Sequence, residues 1–353
     1  MQTFGKFLAG VCAVLFIITG VLALLFFNVE RKAFSSATYK QAFEEENLYE
    51  RMPQVLAIAL STSIAEKERA SAFLKLLTTD QWRTTISSIL PPEELKTLTN
   101  EMLDSTFDYL NGKTDSIVIS LLPFKNQMTT SGGMEAIKQI LRAQPNCTPE
   151  QLMQMAVQAF TGGDLILCNP PEEALGLVTP LIETQLQIIA AAFPDEITLI
   201  SVNSGDSSAD PRSKLNKIRL AMQITPFFPL VFLSGIMIFG VRSLVGWLRW
   251  WGWPFMITGG FSILIGLLGS PILGWSLQRV IENQGAVFIP LVLSTIIAET
   301  ASAVAHQMLK PVAIEGFILV MIGLMITIEV LLVKREKDQI LQRLDAGANT
   351  YQK

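Results

Sequence analysis

One polar stripe in the sequence carries the side-chain types of a nucleophilic catalytic site. Glu299, Ser302 and His306 follow one another at helical spacings of three and four residues, and His306 is the only histidine. A serine activated by a histidine, itself oriented by a carboxylate, would attack a carbonyl carbon. Catalytic triads draw their members from separate elements and hold the serine at an exposed turn. A stripe along one helix is more typical of a solvated polar face, so we predict no enzymatic site.

The sequence lacks the residue patterns that bind metal ions or nucleotides. A structural zinc site takes about four Cys or His ligands, whereas the chain has one histidine and three cysteines. The sequence has no Walker loop and no Gly-x-Gly-x-x-Gly segment. Its net charge of −4 disfavours nucleic acid. We therefore predict no cofactor, no metal and no nucleic-acid partner.

Two of the three cysteines, Cys147 and Cys168, lie in the same polar region, whereas Cys12 falls within an apolar run. An isolated pair in an oxidising compartment predicts one disulfide. Closing a loop of this length would stabilise the fold by about 3 kcal/mol. Two buried free thiols are the alternative, because free cysteine packs as a small apolar residue.

The elements that would position these residues begin with long apolar runs. The chain is 50% hydrophobic and only 16% charged, against about 25% charged in an average soluble domain. The first run, residues 7–29, contains no charge. It is longer than the apolar region of about 7–15 residues in a cleaved signal peptide. We therefore predict an uncleaved N-terminal anchor at residues 1–29.

Three further apolar runs predict a membrane domain at residues 222–333, with spans at about 226–245, 252–273 and 315–333. Tryptophans and arginines at 242–253 predict an interfacial turn. The segment 274–313 is predicted to be an extracytoplasmic amphipathic loop. Its apolar run at 286–298 is too short to cross a membrane, so it would lie at the interface or pack on the large domain. Residues 334–353 form the predicted cytoplasmic tail.

Lysines and arginines in the short segments set the predicted orientation, because such residues stay on the cytoplasmic side. With both termini cytoplasmic, the inside segments carry Lys6, Arg242, Arg249, Lys334, Arg335, Lys337, Arg343 and Lys353. The outside segment 274–313 carries only Arg279 and Lys310. Four bases within residues 212–219 argue the other way, but they end a long domain. We predict a multi-pass protein of the plasma (inner) membrane with the large domain outside.

Residues 30–221 predict a helix-rich extracytoplasmic domain. Prolines followed by acidic or amide residues are typical helix starts, and they occur at 91–94, 148–151 and 170–173. Two β-like runs, 117–121 and 197–200, are predicted to pair as a minor two-strand element. The predicted fold class is therefore a mainly α membrane protein with four transmembrane helices and this domain.

Two features inside the predicted spans suggest membrane-embedded roles. Glu329 lies in the fourth span, and an intramembrane acid predicts proton or cation passage unless it pairs with the nearby Lys334 and Arg335. Small residues recur along the third span at spacings of three and four, at Gly259, Ser262, Gly266 and Ser270. That stripe predicts close helix packing, within the chain or in an oligomer.

Short sequences at 109–112, 145–147 and 168–171 occur together with an outer loop that contains Pro290. In these features the chain resembles uncharacterised four-span integral membrane proteins of bacteria, particularly those of Chloroflexi-like genomes. The resemblance covers most of the chain, implies a bacterial envelope setting and favours paired cysteines. That family has no assigned activity, so no site residue follows from it.

These observations predict a non-enzymatic envelope protein whose extracytoplasmic domain binds a partner or organises a membrane assembly. Its expected partners are the lipid bilayer and a protein, either a different chain or further copies of this one. A membrane sensor subunit is one alternative, although the 20 residues after the fourth span are too few for a kinase. An oligomeric channel or transport component is the other alternative.

Overall fold

The computed structural model describes residues 2–66, 77–161, 168–201, 211–240, 244–283 and 291–350. These residues form thirteen α-helices and two β-strands. The predicted mainly α fold with a minor two-strand element is therefore confirmed. The chain forms two compact units. Unit 1 comprises Met1–Thr38, Ser208–Leu277 and Ala301–Lys353, and unit 2 comprises Tyr39–Ser207 and Gln278–Thr300.

The helices and strands are numbered along the chain. The first half contains α1 Gln2–Ala33, α2 Ser36–Glu45, α3 Leu48–Glu66, α4 Thr79–Ile89, α5 Pro92–Leu110, β1 Ser116–Ser120, α6 Leu122–Thr129 and α7 Ser131–Arg142. The second half contains α8 Pro149–Thr161, α9 Glu172–Ala192, β2 Glu196–Ser201, α10 Pro211–Ile224, α11 Phe227–Gly240, α12 Leu244–Asn283 and α13 Leu291–Thr350.

The core of unit 2 lies where α3 and α4 pack together. Ala57, Leu77, Trp82 and Ile86 form a buried cluster. Helix α4 begins at a capping box, in which the Thr78 side chain accepts from the Gln81 backbone and the Gln81 side chain accepts from the Thr78 backbone. These caps satisfy backbone groups that the first turn of a helix leaves without partners. The helix therefore starts at a fixed residue and presents its apolar face to α3.

Strands β1 and β2 form a two-stranded antiparallel sheet, in which Ile117 pairs with Ile200 and Ile119 with Ile197. Helix α5 packs against β1, and the backbone N–H of Val118 donates to Ser105 Oγ at 3.0 Å. The Ser105 side chain of α5 thus accepts a hydrogen bond from a backbone donor of β1. Helix α5 therefore covers the β1 edge of the sheet.

Most residues of the long apolar helices belong to unit 1. Four helical segments are long and apolar enough to cross a membrane: Phe4–Ala33, Arg212–Gly240, Gly246–Ile281 and Leu293–Glu336. Helix α1 packs on α10 and α11 in an antiparallel sense, since Gly5 near its start lies against the Phe239 carbonyl and Glu30 near its end contacts α10.

Several predicted boundaries differ from those of the structure. The interfacial turn predicted at 242–253 is wrong from Leu244 onward, because these residues belong to α12. The loop predicted at 274–313 is also largely helical: α12 continues to Asn283, and α13 passes through Pro311 without ending. In α13 the sequence is amphipathic before Pro311 and apolar on all sides of the helix after it. This difference in pattern reflects different surroundings along one continuous helix.

The unit boundaries also differ from those of the domain predicted at 30–221. Residues up to Thr38 and from Ser208 belong to unit 1, whereas Gln278–Thr300 belongs to unit 2. Within unit 2, Leu293 and Ile296 at the start of α13 pack against Leu48 and Val55. This part of the predicted loop therefore packs on the domain. Arg242, Lys353 and residues 284–290 lie outside the described residues.

Candidate functional site

A buried polar cluster lies where α1 approaches α10 and α13 in unit 1. Two polar side chains in the last part of α1, Asn28 and Glu30, are only 3% and 5% exposed. A buried carboxylate is costly unless a cation and hydrogen-bond donors compensate it. The surroundings of Glu30 and Asn28 therefore decide whether the cluster is a reactive site or a structural clamp.

Glu30 is held from one side by α10. Its Oε1 atom accepts from Arg219 Nε at 3.0 Å and from Gln223 Nε2 at 3.0 Å. Arg219 also lies over the ring of Phe34, 4.4 Å from its centroid, where the face of the ring attracts the guanidinium. The carboxylate thus has a cation and an amide donor, and the cation has an aromatic support.

Asn28 connects α1 to α13. Its Nδ2 donates to the Leu24 carbonyl at 2.9 Å and to Glu315 Oε2 at 2.7 Å. Residues two apart on a helix point in nearly opposite directions, so Asn28 and Glu30 reach different neighbours. One short stretch of α1 therefore fixes both α10 and α13.

This arrangement holds helices together and offers no nucleophile. Both carboxylates accept hydrogen bonds, and Glu30 forms an ion pair with Arg219. Sequence reasoning missed the cluster, because it treated Arg219 as one of several bases flanking the second span. The available signal was a polar Asn28 and an acidic Glu30 at the end of the first apolar run, together with a base, Arg219, shortly before the second apolar run.

The small residues predicted for close packing lie between α12 and α13. A Cβ atom on Gly259 would overlap the carbonyl oxygen of Gly316, and a Cβ on Gly266 would lie 2.5 Å from Ala313 Cβ. Ser262 is fully buried and donates to the Thr258 carbonyl, and the Ser270 carbonyl accepts from Ser302. The contact lies within one chain.

Sequence reasoning found only one side of this contact. Gly252 and Gly323 also face each other, since a Cβ on Gly323 would lie 2.8 Å from the Gly252 carbonyl oxygen. The glycines recur every seven residues, at 252, 259 and 266 on α12 and at 316 and 323 on α13. That matched spacing was the signal that the sequence offered, because it returns to the same helix face after two turns.

Cys147 and Cys168 form a disulfide in the structure, as the sequence predicts. The two segments are also joined by backbone hydrogen bonds from Cys147 to Asn169 at 3.0 Å and from Asn169 to Pro145 at 2.8 Å. Helix α8 begins two residues after Cys147, and α9 begins four residues after Cys168. The disulfide therefore fixes the points from which both helices start.

The remaining predicted residues take separate roles. Glu299 forms an ion pair with Arg51 at 2.7 Å, Ser302 donates to the Ser270 carbonyl, and His306 is exposed. Glu329 is exposed on α13 and does not point into the packed interior of unit 1. Among the described residues, no group of three or more His, Cys, Asp or Glu side chains could hold a metal ion.

The titratable groups along α2, α3 and α5 do not form a reactive site. Burial raises the pKa of the Tyr49 phenol, and the negative charge of Glu44 raises it further. The hydrogen bond to Glu44 raises the pKa of Lys96, whose Nζ lies 2.7 Å from the carboxylate. At neutral pH the phenol is therefore neutral and the amine charged, so neither side chain is a base or a nucleophile.

A second candidate lies on unit 2 and consists of exposed apolar side chains. We define the α9–β2 surface as the set Ile188, Ile189, Phe193, Ile197, Leu199 and Ile200, whose side chains are 40–57% exposed. Helix α9 packs on α6 and α7, and its Leu186 and Ala190 are buried. Six large apolar residues exposed within the thirteen residues 188–200 exceed the scattered apolar exposure of an ordinary protein surface, a feature typical of a binding site.

The edge of β2 contributes to the same surface. Every residue from Glu196 to Ile200 is exposed, whereas the outer side of β1 is bonded to α5 through Ser105. An exposed apolar edge strand invites pairing with another chain, and proteins commonly cover or charge such edges. The β2 edge is therefore suited to an added strand.

Comparison with known proteins gives no relative: no family model, no curated protein and no solved structure matches this chain.

Proposed function

We propose that the protein is a non-enzymatic, multi-pass membrane protein whose unit 2 lies on the extracytoplasmic side and binds a partner protein. The observation that carries this proposal is the α9–β2 surface. Six large apolar side chains remain exposed there, on the last turns of α9, at Phe193 and on β2. Exposing such a surface to water costs free energy, and a bound partner that covers the apolar side chains removes that cost.

The membrane part of the proposal rests on helix length and composition. The four apolar segments have 30, 29, 36 and 44 residues. At a rise of about 1.5 Å per residue each exceeds the roughly 30 Å hydrocarbon core of a bilayer. Their exposed side chains include Leu264, Leu267 and Met325, which suit lipid.

The orientation rests on charge and on the disulfide. Lys6, Arg249, Lys334 and Arg335 lie at the ends that we assign to the cytoplasm. A Cys147–Cys168 bond persists in an oxidising compartment, which favours the outer side for unit 2. The resemblance to bacterial four-span proteins supports an inner-membrane setting.

Reporter fusions test this topology. Four crossings place Met1 and Lys353 on the same side, so a cytoplasmic reporter should be active at both ends and a periplasmic reporter at neither. A fusion at residue 205, between the first two proposed spans in the sequence, should give the opposite result. A C-terminus that reports outside while the N-terminus reports inside would overturn the four-span arrangement.

Partner capture tests the binding role. The wild-type chain should retain a protein partner after cross-linking in membranes and mild detergent extraction, and Leu199→Asp should lose it. Met102→Gln is a matched control, because Met102 is an exposed apolar residue on α5 outside the α9–β2 surface. A monodisperse monomer with no partner, or equal retention by Leu199→Asp, would contradict the proposal.

One observation favours a second candidate function, that of a sensor subunit. The Glu30–Arg219 pair joins α1 to α10, which precede and follow the largest segment of unit 2 in the sequence. A change that breaks this pair would alter how the first two proposed spans pack. A channel role receives no comparable support, since Glu329 is exposed on α13.

A further inference from the structure

Helix α10 in unit 1 carries more positive charge than its contacts within the protein use. It contains four bases and no acidic residue. One base, Arg219, binds Glu30 of α1. Lys214 and Lys217 are exposed and form no ion pair with an acid among the described residues. The charge of these two lysines is therefore available to a ligand.

The two sides of α10 have different neighbours. Arg219 and Gln223, one turn apart, both donate to Glu30, so this side of the helix faces α1. Residues two apart on a helix point in nearly opposite directions, so Lys217 and Ala221 point away from α1. Both of these residues are exposed. The lysines therefore lie on a side of α10 that α1 leaves uncovered.

This outer side changes from basic to apolar along the helix. Lys214, Lys217, Ala221 and Ile224 follow one another at spacings of three and four residues, so they form one line on the helix surface. Leu220 lies beside this line, and the side chains of Leu220 and Ile224 are 57% and 43% exposed. We call these five residues the α10 stripe. Its apolar end, Ile224, lies about 10 Å along the helix axis from Lys217.

The order of groups in the α10 stripe matches that of a phospholipid, from headgroup to acyl chains. The apolar end of the stripe leads into α11, and the two helices belong to one candidate span, Arg212–Gly240. A lysine at the edge of a span extends its ammonium to the headgroup level while its aliphatic part stays on apolar surface. Anionic headgroups attract basic segments of this kind.

We propose that the α10 stripe binds an anionic phospholipid. The ammonium groups of Lys214 and Lys217 contact the lipid phosphate, and the acyl chains pack on Leu220 and Ile224. This inference rests on the membrane insertion in the proposed function, and it specifies the class of lipid that the second span selects.

The charges of the neighbouring helix also favour an anionic ligand. The last turn of α1, which packs on α10, contains Arg31 and Lys32. Arg31 is exposed and lies over the ring of Phe27, 5.5 Å from its centroid. Glu30 beside it is buried and bound to Arg219, so it does not offset these bases at the surface. An acidic protein segment would match the lysines, but a lipid also matches an apolar end that continues into a span.

Quenching of bimane fluorescence by brominated lipids tests the proposal. The label is attached at Phe227→Cys, an exposed position shortly after Ile224, in a Cys12→Ala background because Cys12 is the free cysteine. The full-length protein is placed in phosphatidylcholine nanodiscs that contain a minor fraction of brominated phosphatidylglycerol or, separately, of brominated phosphatidylcholine. Two lysines should favour anionic lipid about tenfold. Quenching by the phosphatidylglycerol should therefore exceed quenching by the phosphatidylcholine about threefold.

Variants of equal charge separate local from general attraction. Lys214→Gln with Lys217→Gln should make quenching by the two lipids equal, and high salt should do the same because counterions screen the lysines. Lys113→Gln with Lys138→Gln removes the same charge from unit 2 and should leave the threefold excess unchanged. An equal loss of the excess in both double variants would show a general charge effect and overturn the proposal.

A second label position separates this inference from the proposed function. Bimane at Leu264→Cys on α12 should be quenched equally by both lipids, and an excess there as large as at Phe227→Cys would overturn a site on α10. Equal quenching at both positions would overturn the anionic lipid alone, because it still shows lipid contact with the proposed spans. If neither lipid quenches the label at either position, membrane insertion fails, and this inference fails with it.

Discussion

The two units both expose apolar side chains, but the charges beside them differ. In unit 1 they lie on α12 and α13, whose middle sections are uncharged and whose exposed residues include Leu264 and Met325. In unit 2 they lie on the α9–β2 surface, where the charged residues Asp195 and Glu196 stand between Phe193 and Ile197 in the sequence. An uncharged apolar surface suits lipid, whereas an apolar surface with charged borders suits a polypeptide.

Charge is also handled differently in the two units. Unit 1 buries Glu30 and pairs it with Arg219, whose side chain is 22% exposed. Unit 2 keeps its pairs near the surface, as in Lys40–Asp104, where the side chains are 26% and 53% exposed. Solvent screens an exposed ion pair much more than a buried one. Removing the base of the Glu30–Arg219 pair should therefore reduce stability more than removing the base of the Lys40–Asp104 pair.

The largest expected effect comes from breaking the buried pair. Arg219→Met leaves the Glu30 carboxylate buried without its cation, and the free energy of unfolding should fall by about 3 kcal/mol or more. Thermal unfolding in detergent, followed by tryptophan fluorescence, measures the change. Adding Glu30→Gln should restore part of the loss, because the buried charge is then absent.

Lys40→Met is the matched control for that experiment. It removes the base of an exposed pair, so the loss should stay below about 1 kcal/mol. If Arg219→Met destabilises the protein no more than Lys40→Met does, the contrast in charge burial between the units is incorrect.

The disulfide should have the next largest effect, in unit 2. Replacing Cys147 and Cys168 by serine removes a cross-link between residues that are 21 positions apart in the sequence. Because the unfolded chain then gains conformational freedom, the free energy of unfolding should fall by about 3 kcal/mol. Denaturant unfolding without reductant measures this loss, and Cys12→Ala should change it little. Peptide mapping that finds both thiols free in the native protein would contradict the account.

The smallest effect concerns the contact between α12 and α13. Gly259→Ala places a Cβ against the Gly316 carbonyl, so stability should fall by about 1–3 kcal/mol. Gly260→Ala meets nothing within 4 Å and should be neutral or stabilise by up to about 1 kcal/mol, since alanine favours helix. Equal thermal midpoints for the two variants would exclude this close contact.

Much of unit 2 could be predicted from local signals. The Pro-Pro-Glu-Glu start at 91–94 and the two paired β-runs are confirmed, with α5 at Pro92–Leu110 and β1 paired to β2. The helix start at Thr148 has its expected bonds, from the Gln151 backbone to the threonine side chain and from the threonine backbone to the glutamine side chain. These features depend on neighbouring residues alone, so the sequence contains them fully.

The polar cluster of unit 1 and the partner glycines of α13 were not predictable in the same way. Asn28 and Glu315 are 287 residues apart, and nothing local to either residue specifies the other. The continuity of α13 was missed because its pattern changes near Pro311 while its backbone remains helical. The spacing of apolar residues indicates what surrounds a helix more directly than it indicates where the helix ends.

The contrast between the two apolar surfaces is tested most directly by cysteine labelling in intact cells. Ile188→Cys on α9 and Leu264→Cys on α12 replace residues that are 57% and 52% exposed. A membrane-impermeant maleimide should label Ile188→Cys rapidly from outside and Leu264→Cys not at all, since lipid excludes the reagent. Wild-type protein gives the background, because two of its cysteines are bonded and Cys12 lies within α1. Equal labelling at both positions, or labelling of Ile188→Cys only after permeabilisation, would contradict the account.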